Sequence, residues 1–121
     1  MDIMIIDKDS ETVKKIRCLL EENNDTVIEV KTVDEGFGIL SSQKIDAIIM
    51  DIVIPDGKGL DLFVKLRKHN IPVISLSDLC KQAVISGYLN SMGIVGFVQK
   101  PFNQKNFLFA INRIKSSVYH S

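Results

Sequence analysis

The sequence predicts an α/β fold with a doubly wound, parallel sheet of five strands, in which residues 1–121 form one domain. Short apolar runs alternate along the chain with segments in which apolar residues recur at helical spacing. Three of these runs contain almost no polar residue, which is typical of parallel strands that helices cover on both faces. Five strand–helix units in 121 residues indicate right-handed crossovers within a single sheet.

The strand candidates are short runs rich in isoleucine and valine. They cover roughly residues 3–6, 26–31, 45–50, 73–76 and 95–98. The first, third and fourth runs are nearly all apolar, so we expect these strands to be buried on both faces.

Five helices are expected between and after these strands. Asp9 or Ser10 can cap the first helix, and Thr32 begins a capping box with Glu35 for the second. The fourth helix is expected over about residues 79–90. The apolar stripes of the first, third and fifth helices, interpreted as core, are Val13, Ile16, Leu19 and Leu20; Leu60, Phe63, Val64 and Leu66; and Phe107, Ala110, Ile111 and Ile114.

Composition and charge argue against several classes of protein. No apolar run reaches the length of a membrane span and no signal peptide is visible, so we expect a cytoplasmic protein without membrane association. Cys18 and Cys80 are too few for a disulfide framework and lack metal-site spacing. Basic and acidic residues balance at 15 each, which argues against direct nucleic-acid binding. The charge is uneven, however, because no acid follows Asp78.

Polar side chains follow four of the predicted strands. The segments after strands one, three, four and five contain Asp7-Lys8-Asp9, Asp51, Ser77-Asp78 and Gln99-Lys100. In a doubly wound fold these strand ends share one edge of the sheet, where ligands bind. A carboxylate can attack phosphorus, a cation can neutralise the phosphoryl charge, and grouped carboxylates can hold Mg²⁺. The pattern therefore predicts phosphoryl chemistry on an aspartate.

Three segments resemble the receiver domains of response regulators in two-component systems. An apolar strand ending in Asp51, with a Pro-Asp-Gly turn four residues later, is similar to the family's phosphoacceptor segment. Residues 72–77 resemble the fourth strand, which ends in a switch serine or threonine. Residues 96–102 resemble the fifth strand, with a switch aromatic residue and a Lys-Pro pair. The resemblance covers essentially the whole chain and implies a flavodoxin-like (βα)5 fold with strand order 2-1-3-4-5.

The resemblance implies a role for each of these residues in a phosphorelay. Asp51 would accept a phosphoryl group from a histidine kinase or phosphotransfer protein, and Lys100 would contact that group. Ser77 would turn inward on phosphorylation, and the ring of Phe97 would follow it. Members of the family switch the face made by the fourth helix, fifth strand and fifth helix, and signal to a downstream protein or output domain. The expected chemistry is limited to self-phosphorylation and self-dephosphorylation, without enzymatic turnover.

The resemblance also implies a Mg²⁺ site, with one departure from the family pattern. Asp7, Asp51 and the backbone carbonyl of Val53 would hold the ion, and Asp9 is a further candidate. Lys8 stands where a second acid normally ligates the metal. Because a protonated amine cannot ligate a cation, we expect Mg²⁺ binding to be weak.

A second departure follows the switch hydroxyl. The family favours a very small residue there, and this sequence has Asp78, which adds bulk and a negative charge close to the expected phosphoryl group. We hypothesise that Lys8 forms an ion pair with Asp51, Asp78 or both, and so partly replaces the missing dication. The alternative is that Lys8 is simply solvated.

The expected signalling face is basic. It contains Lys81, Lys105, Arg113 and Lys115, and we expect no acid to balance them. A symmetric dimer through this face would bring like charges together, so we expect a monomer, or a different interface, and a partner with an acidic patch. The alternative is a merely solvated basic surface.

Two other functions remain open. A pseudo-receiver would use the same fold as an interaction module without phosphorylation. A haloacid-dehalogenase-like phosphohydrolase would use Asp7 as nucleophile and Asp9 as general acid, with Ser77 and Lys100 as later motif residues. That enzyme family needs another acid after its lysine, and no acid follows Asp78.

Overall fold

The computed structural model of the chain describes residues 1–7, 9–50, 71–78, 96–100 and 103–119. They form five strands and three helices: β1 Asp2–Ile6, α1 Ser10–Glu22, β2 Thr26–Val30, α2 Val33–Ser42, β3 Ala47–Met50, β4 Val73–Asp78, β5 Gly96–Lys100 and α3 Gln104–Tyr119. Helix α3 is the fifth predicted helix, and the predicted third and fourth helices lie outside the described residues. In this part of the chain, no helix combines the length and apolar character needed to cross a membrane.

All five strands are parallel and lie in one sheet in the order β2-β1-β3-β4-β5. This arrangement confirms the predicted doubly wound fold. The strand order reverses between β1 and β3, where Ile6 is the Cα partner of Met50. Ligands of such folds bind outside the carboxyl ends of the strands at this point.

Strands β4 and β5 both run two residues further than the apolar pattern predicts. The extensions pair with each other, because Ser77 is the Cα partner of Gln99 and Asp78 is the partner of Lys100. These four residues are polar, so the apolar pattern of each strand ends before them. The extension brings the predicted switch serine and lysine onto neighbouring strands.

Side-chain alternation along the strands divides the core into two apolar clusters, one on each face of the sheet. Helices α1 and α3 cover the first face, where Ile16, Leu20 and Phe107 have no exposed surface. Helix α2 covers the other face, where Val33 packs in a cluster with Met4 and Ile6 of β1. Each fully buried side chain of this size contributes about 1.5–3 kcal/mol relative to an exposed one.

Each helix begins at a polar residue whose side chain accepts a backbone hydrogen bond. The Thr32 hydroxyl accepts from Glu35 N–H at 3.2 Å, as the predicted capping box requires. The Glu35 carboxylate accepts in return from Lys31 N–H at 3.4 Å, one residue before the cap. Asn103 Oδ1 accepts from Asn106 N–H at 2.8 Å and begins α3.

Helix α2 packs unusually close to β1 because of a glycine. A Cβ atom added at Gly36 would lie 3.2 Å from Ile6 Cδ1, which is tighter than an ordinary van der Waals contact. The absence of a side chain at Gly36 therefore leaves Ile6 room in the packing between α2 and β1.

A buried carboxylate at the amino-terminal end of the sheet joins three parts of the fold. Asp25, whose side chain is 2% exposed, lies 3.1 Å from the Met1 ammonium and 2.8 Å from Lys115 Nζ. Asn24, with a φ of 65°, makes the left-handed turn that leads into Asp25. We call these three charged groups the Asp25 cluster. The expectation that Lys115 has no balancing acid is wrong, because its partner lies 90 residues away in sequence.

Candidate functional site

The strand ends that carry the predicted site lie along one edge of the sheet. Ile6, the last residue of β1, pairs with Met50, the last residue of β3, and Met50 pairs with Ser75 of β4. Asp7 directly follows β1, and Asp51 directly follows Met50 in the sequence. Asp51 itself, Lys8 and Val53 lie outside the described residues.

Asp7 is held at the strand end by two local hydrogen bonds. Its backbone N–H donates to Val30 O at 3.4 Å, which continues the pairing of β1 with β2. Its carboxylate Oδ1 accepts from Asp9 N–H at 2.9 Å, the geometry of an Asx turn. The half-buried Asp7 side chain is therefore fixed by the backbone at the edge where the site is predicted.

Asp9 is the cap of helix α1, which decides between the two predicted candidates for that role. Its Oδ1 accepts from Glu11 N–H at 3.2 Å, and its Oδ2 accepts from the Thr12 hydroxyl at 2.6 Å. Both carboxylate oxygens thus bind the first turn of the helix. Asp9 could act as a metal ligand, or as the general acid of a phosphohydrolase, only if its carboxylate gave up these hydrogen bonds to the first turn of α1.

The described residues alone do not assemble a metal site. Mg²⁺ prefers six oxygen ligands, several of them water, with one or two carboxylates from the protein. Among the residues that the structure describes, no group of three acidic, histidine or cysteine side chains is close enough to hold a metal. Asp7 is the one predicted ligand in this part that is not engaged in capping a helix. The fit of Mg²⁺ therefore depends on Asp51 and Val53.

The predicted serine and lysine are adjacent in the sheet. Asp78, the residue after Ser77, is the Cα partner of Lys100. Phe97, the predicted switch aromatic residue, is the Cα partner of Ser75. The backbone therefore brings Ser77, Lys100 and Phe97 into two neighbouring strands, as convergence on one site requires.

Ser75 is a polar residue of this region that was not among the predicted site residues. Its side chain is fully buried, and Ser75 Oγ has no hydrogen-bond partner in the described structure. It lies in register between Met50 and Phe97, on the strand that ends at the site. The signal that could have found it is a hydroxyl in the middle of an otherwise apolar strand.

Sequence comparison identifies relatives over nearly the whole chain. Residues 3–112 match the family model of the response regulator receiver domain. The regulatory protein VanR of Enterococcus faecium is 30% identical over 118 residues, which cover 96% of this chain and 49% of VanR. The KDP operon transcriptional regulatory protein KdpE of Escherichia coli (strain K12) is 28% identical over 102 residues, which cover 84% of this chain and 45% of KdpE. The chain spans about half the length of the curated relatives that it matches.

Solved structures of similar domains have the same fold. A two-component response regulator from Clostridium difficile superimposes with a TM-score of 0.82 at 26% identity, over 96% of each chain. The receiver domain of the TMAO respiratory system response regulator TorR superimposes with a TM-score of 0.83 at 22% identity. The match covers 98% of this chain and 97% of that receiver domain. The family match, the fold and the arrangement of the strand ends agree, and the chain belongs to the response regulator receiver domain family.

Proposed function

We propose that residues 1–121 act as one receiver domain that accepts a phosphoryl group on Asp51 from a histidine kinase or phosphotransfer protein. The family as a whole consists of signalling domains of two-component systems, which act between such kinases and output domains. The observation that carries the proposal is the shared edge of the sheet. There β3 ends directly before Asp51, Asp7 follows β1, and Ser77 and Lys100 lie on paired strands.

The proposed transfer uses the ionised carboxylate of Asp51. One carboxylate oxygen bonds to phosphorus while the bond between phosphorus and the leaving atom of the donor breaks. The Lys100 ammonium neutralises charge on the phosphoryl oxygens, and the Ser77 hydroxyl donates a hydrogen bond to one of them. Phe97 then follows Ser77, and the change reaches the surface formed by the last strand and helix.

Receiver domains generally bind Mg²⁺ at the phosphorylation site, where the ion neutralises phosphoryl charge. We propose that this chain binds the ion weakly, through Asp7, Asp51 and the Val53 carbonyl. Lys8 occupies the place of a second acid, and Asp9 is engaged with both oxygens as a helix cap. The Lys8 ammonium, paired with Asp51 or Asp78, would supply part of the missing positive charge.

The downstream partner is proposed to be a protein, or an output domain, with an acidic patch. We propose that the domain itself is a cytoplasmic monomer that contacts neither nucleic acid nor membrane. Of the four cations of the predicted signalling face, Lys105 and Arg113 are exposed and support this proposal. Lys115 does not, because it belongs to the Asp25 cluster.

The test is incubation with acetyl phosphate, with and without Mg²⁺, followed by intact-protein mass spectrometry. The expected result is one added phosphoryl group in the parent chain and none in Asp51→Asn. The matched control is Asp46→Asn, which changes an acid beside the opposite end of β3 and should leave the adduct unchanged. An adduct that persists in Asp51→Asn would contradict the assignment, and no adduct under any condition would support a pseudo-receiver instead. Turnover of p-nitrophenyl phosphate would favour the phosphohydrolase.

A further inference from the structure

One hydroxyl of β4 is buried without a hydrogen-bond partner. Ser75 has no exposed surface, and its Oγ atom forms no hydrogen bond in the described structure. Within the part of the chain that the structure describes, it is the one buried polar side-chain atom without a partner. Burial removes a hydroxyl from water, and without a new partner that loss is not compensated. The described state therefore carries a free-energy cost at Ser75.

The two residues in register with Ser75 are both apolar. Met50, its Cα partner on β3, is fully buried in the second apolar cluster, and Phe97 is its Cα partner on β5. Val73, two residues earlier on β4, belongs to the same cluster as Met50. Because side chains alternate along a strand, Ser75 lies on this same face of the sheet. The hydroxyl therefore lies on an apolar face.

Ser75 also lies beside the two residues that the proposed switch moves. Phe97 is in register with it, and Ser77 follows it by two residues on β4. Residues in register on parallel strands share a face of the sheet, as do residues two apart on one strand. Since neighbouring strands are only about 4.8 Å apart, a side chain that moves at position 97 moves directly beside the Ser75 hydroxyl.

Serine combines two properties that neither alanine nor valine has at this position. It is small, so it leaves space beside position 97, and it carries a hydrogen-bond donor. An apolar core alone does not need this combination, because alanine leaves the same space without an unpaired hydroxyl and valine fills the space with apolar atoms. A donor that gains a partner only in a second state lowers the free energy of that state relative to the first.

We propose that Ser75 is a positioning residue of the switch. Its small side chain leaves room for the Phe97 ring to turn inward, and its hydroxyl then donates a hydrogen bond to the face of that ring. The face of an aromatic ring carries partial negative charge and accepts such a donor. Because the hydroxyl gains this partner only in the switched state, Ser75 shifts the equilibrium toward that state. The inference rests on the proposed phosphoacceptor function and adds a residue to its regulation.

The experiment measures the apparent Kd of the full chain for beryllofluoride, which stands in for a phosphoryl group on an aspartate. Binding is followed by amide NMR signals at a fixed excess of Mg²⁺. The apparent Kd equals the intrinsic Kd divided by the fraction of chains in the binding-competent state. Ser75→Ala should raise it about fivefold, because the donor is lost. Ser75→Val should raise it about twentyfold or more, since it also fills the space that the ring enters.

A second readout separates this role from ordinary packing. Ser75→Ala should raise the urea midpoint of the unmodified chain while it weakens beryllofluoride binding. A residue that only packs the core affects both states equally and leaves the apparent Kd unchanged. Val73→Ala, at a buried position on the same strand and face, is the matched control. It should lower the urea midpoint and change the apparent Kd by less than about twofold.

A double-mutant cycle tests whether the ring is the partner. In Phe97→Ala the ring is absent, so adding Ser75→Ala should change the apparent Kd by less than about twofold. The full fivefold effect without the ring would assign the hydroxyl to another partner, such as a bound water, and would overturn the proposal. An unchanged apparent Kd in Ser75→Ala, or a lowered urea midpoint, would overturn it as well. Ser75→Ala decides the test even where Ser75→Val does not fold.

The outcomes separate this inference from the phosphoacceptor function. Beryllofluoride that binds the parent chain but not Asp51→Asn, with the same apparent Kd in Ser75→Ala as in the parent, would refute the role of Ser75 alone. Neither beryllofluoride binding nor an acetyl phosphate adduct in the parent chain would refute the phosphoacceptor function, and with it the role of Ser75 in the switch. Weaker binding in Ser75→Ala that depends on Phe97 would support both.

Discussion

The Asp25 cluster is predicted to be a large single contributor to the stability of the domain. Asp25→Asn keeps the shape of the side chain and removes its charge. The change leaves the ammonium of Met1, a partly buried residue, without a counter-charge. Lys115 is 23% exposed, so its ammonium can turn toward water.

The expected loss of stability depends on how deeply the two cations that lose their counter-charge are buried. Removing one partner of a buried ion pair costs about 3–5 kcal/mol. We expect the lower value, about 3 kcal/mol, because both cations belong to residues that are only partly buried. For a domain of this size each kcal/mol lowers Tm by about 4 °C, so Asp25→Asn should lower Tm by about 12 °C. Domains of this kind have only about 5–15 kcal/mol of stability in total.

The free energy of unfolding is measured in urea, with circular dichroism as the signal, for Asp25→Asn, Lys115→Met and the double variant. Lys115→Met should cost about 1 kcal/mol, since Asp25 keeps the Met1 ammonium. The double variant should cost less than the sum, because both changes remove the same contact. Glu22→Gln, at an exposed acid of α1, is the control and should cost under about 0.5 kcal/mol. A loss below about 1 kcal/mol in Asp25→Asn would show that the buried ion pair is not needed.

Three further predictions concern the site edge. Asp9→Ala removes the cap of α1 and should lower the free energy of unfolding by about 1 kcal/mol in urea, whereas Asp9→Ser should retain most of it. Ser75→Ala removes a buried hydroxyl that has no partner in the described structure and should raise that free energy by about 1 kcal/mol. Ser116→Ala, at an exposed serine of α3, should raise it by no more than about 0.5 kcal/mol through helix propensity. A destabilised Ser75→Ala would contradict the reasoning. Lys8→Asp restores an acid at the expected metal site and should increase Mg²⁺ affinity in calorimetry, so an unchanged affinity would remove Lys8 as the cause of weak binding.

The fold could be predicted because its signals are local. Strands buried on both faces require continuous apolar runs, and such runs are visible in β1, β3 and most of β4. Helix caps depend on residues three or fewer positions apart, so Thr32 and Asp9 were both identified as candidates. The ends of β4 and β5 cannot be predicted in this way, because their pairing is a contact between distant polar segments without an apolar pattern of its own.

The electrostatics could be predicted only in part. The exposed position of Phe109 can be derived from its helix, since it falls outside the spacing of the buried residues. The role of Lys115 could not be derived in this way. Its partner Asp25 precedes a different strand, and only the packing of α3 across the sheet brings the two together. A cation that looks like part of a signalling surface is instead a structural group.

Because α2 lies close to β1, the residue that fits at position 36 depends on the side chain of Ile6. Because a Cβ atom at Gly36 would lie 3.2 Å from Ile6 Cδ1, a side chain at that position would displace the end of Ile6 by a few tenths of an ångström. Ile6 immediately precedes Asp7, so a displacement of Ile6 acts directly beside the first residue of the proposed site. Substitutions on the core-facing side of α2 are therefore expected to affect the proposed phosphorylation site without changing any of its residues.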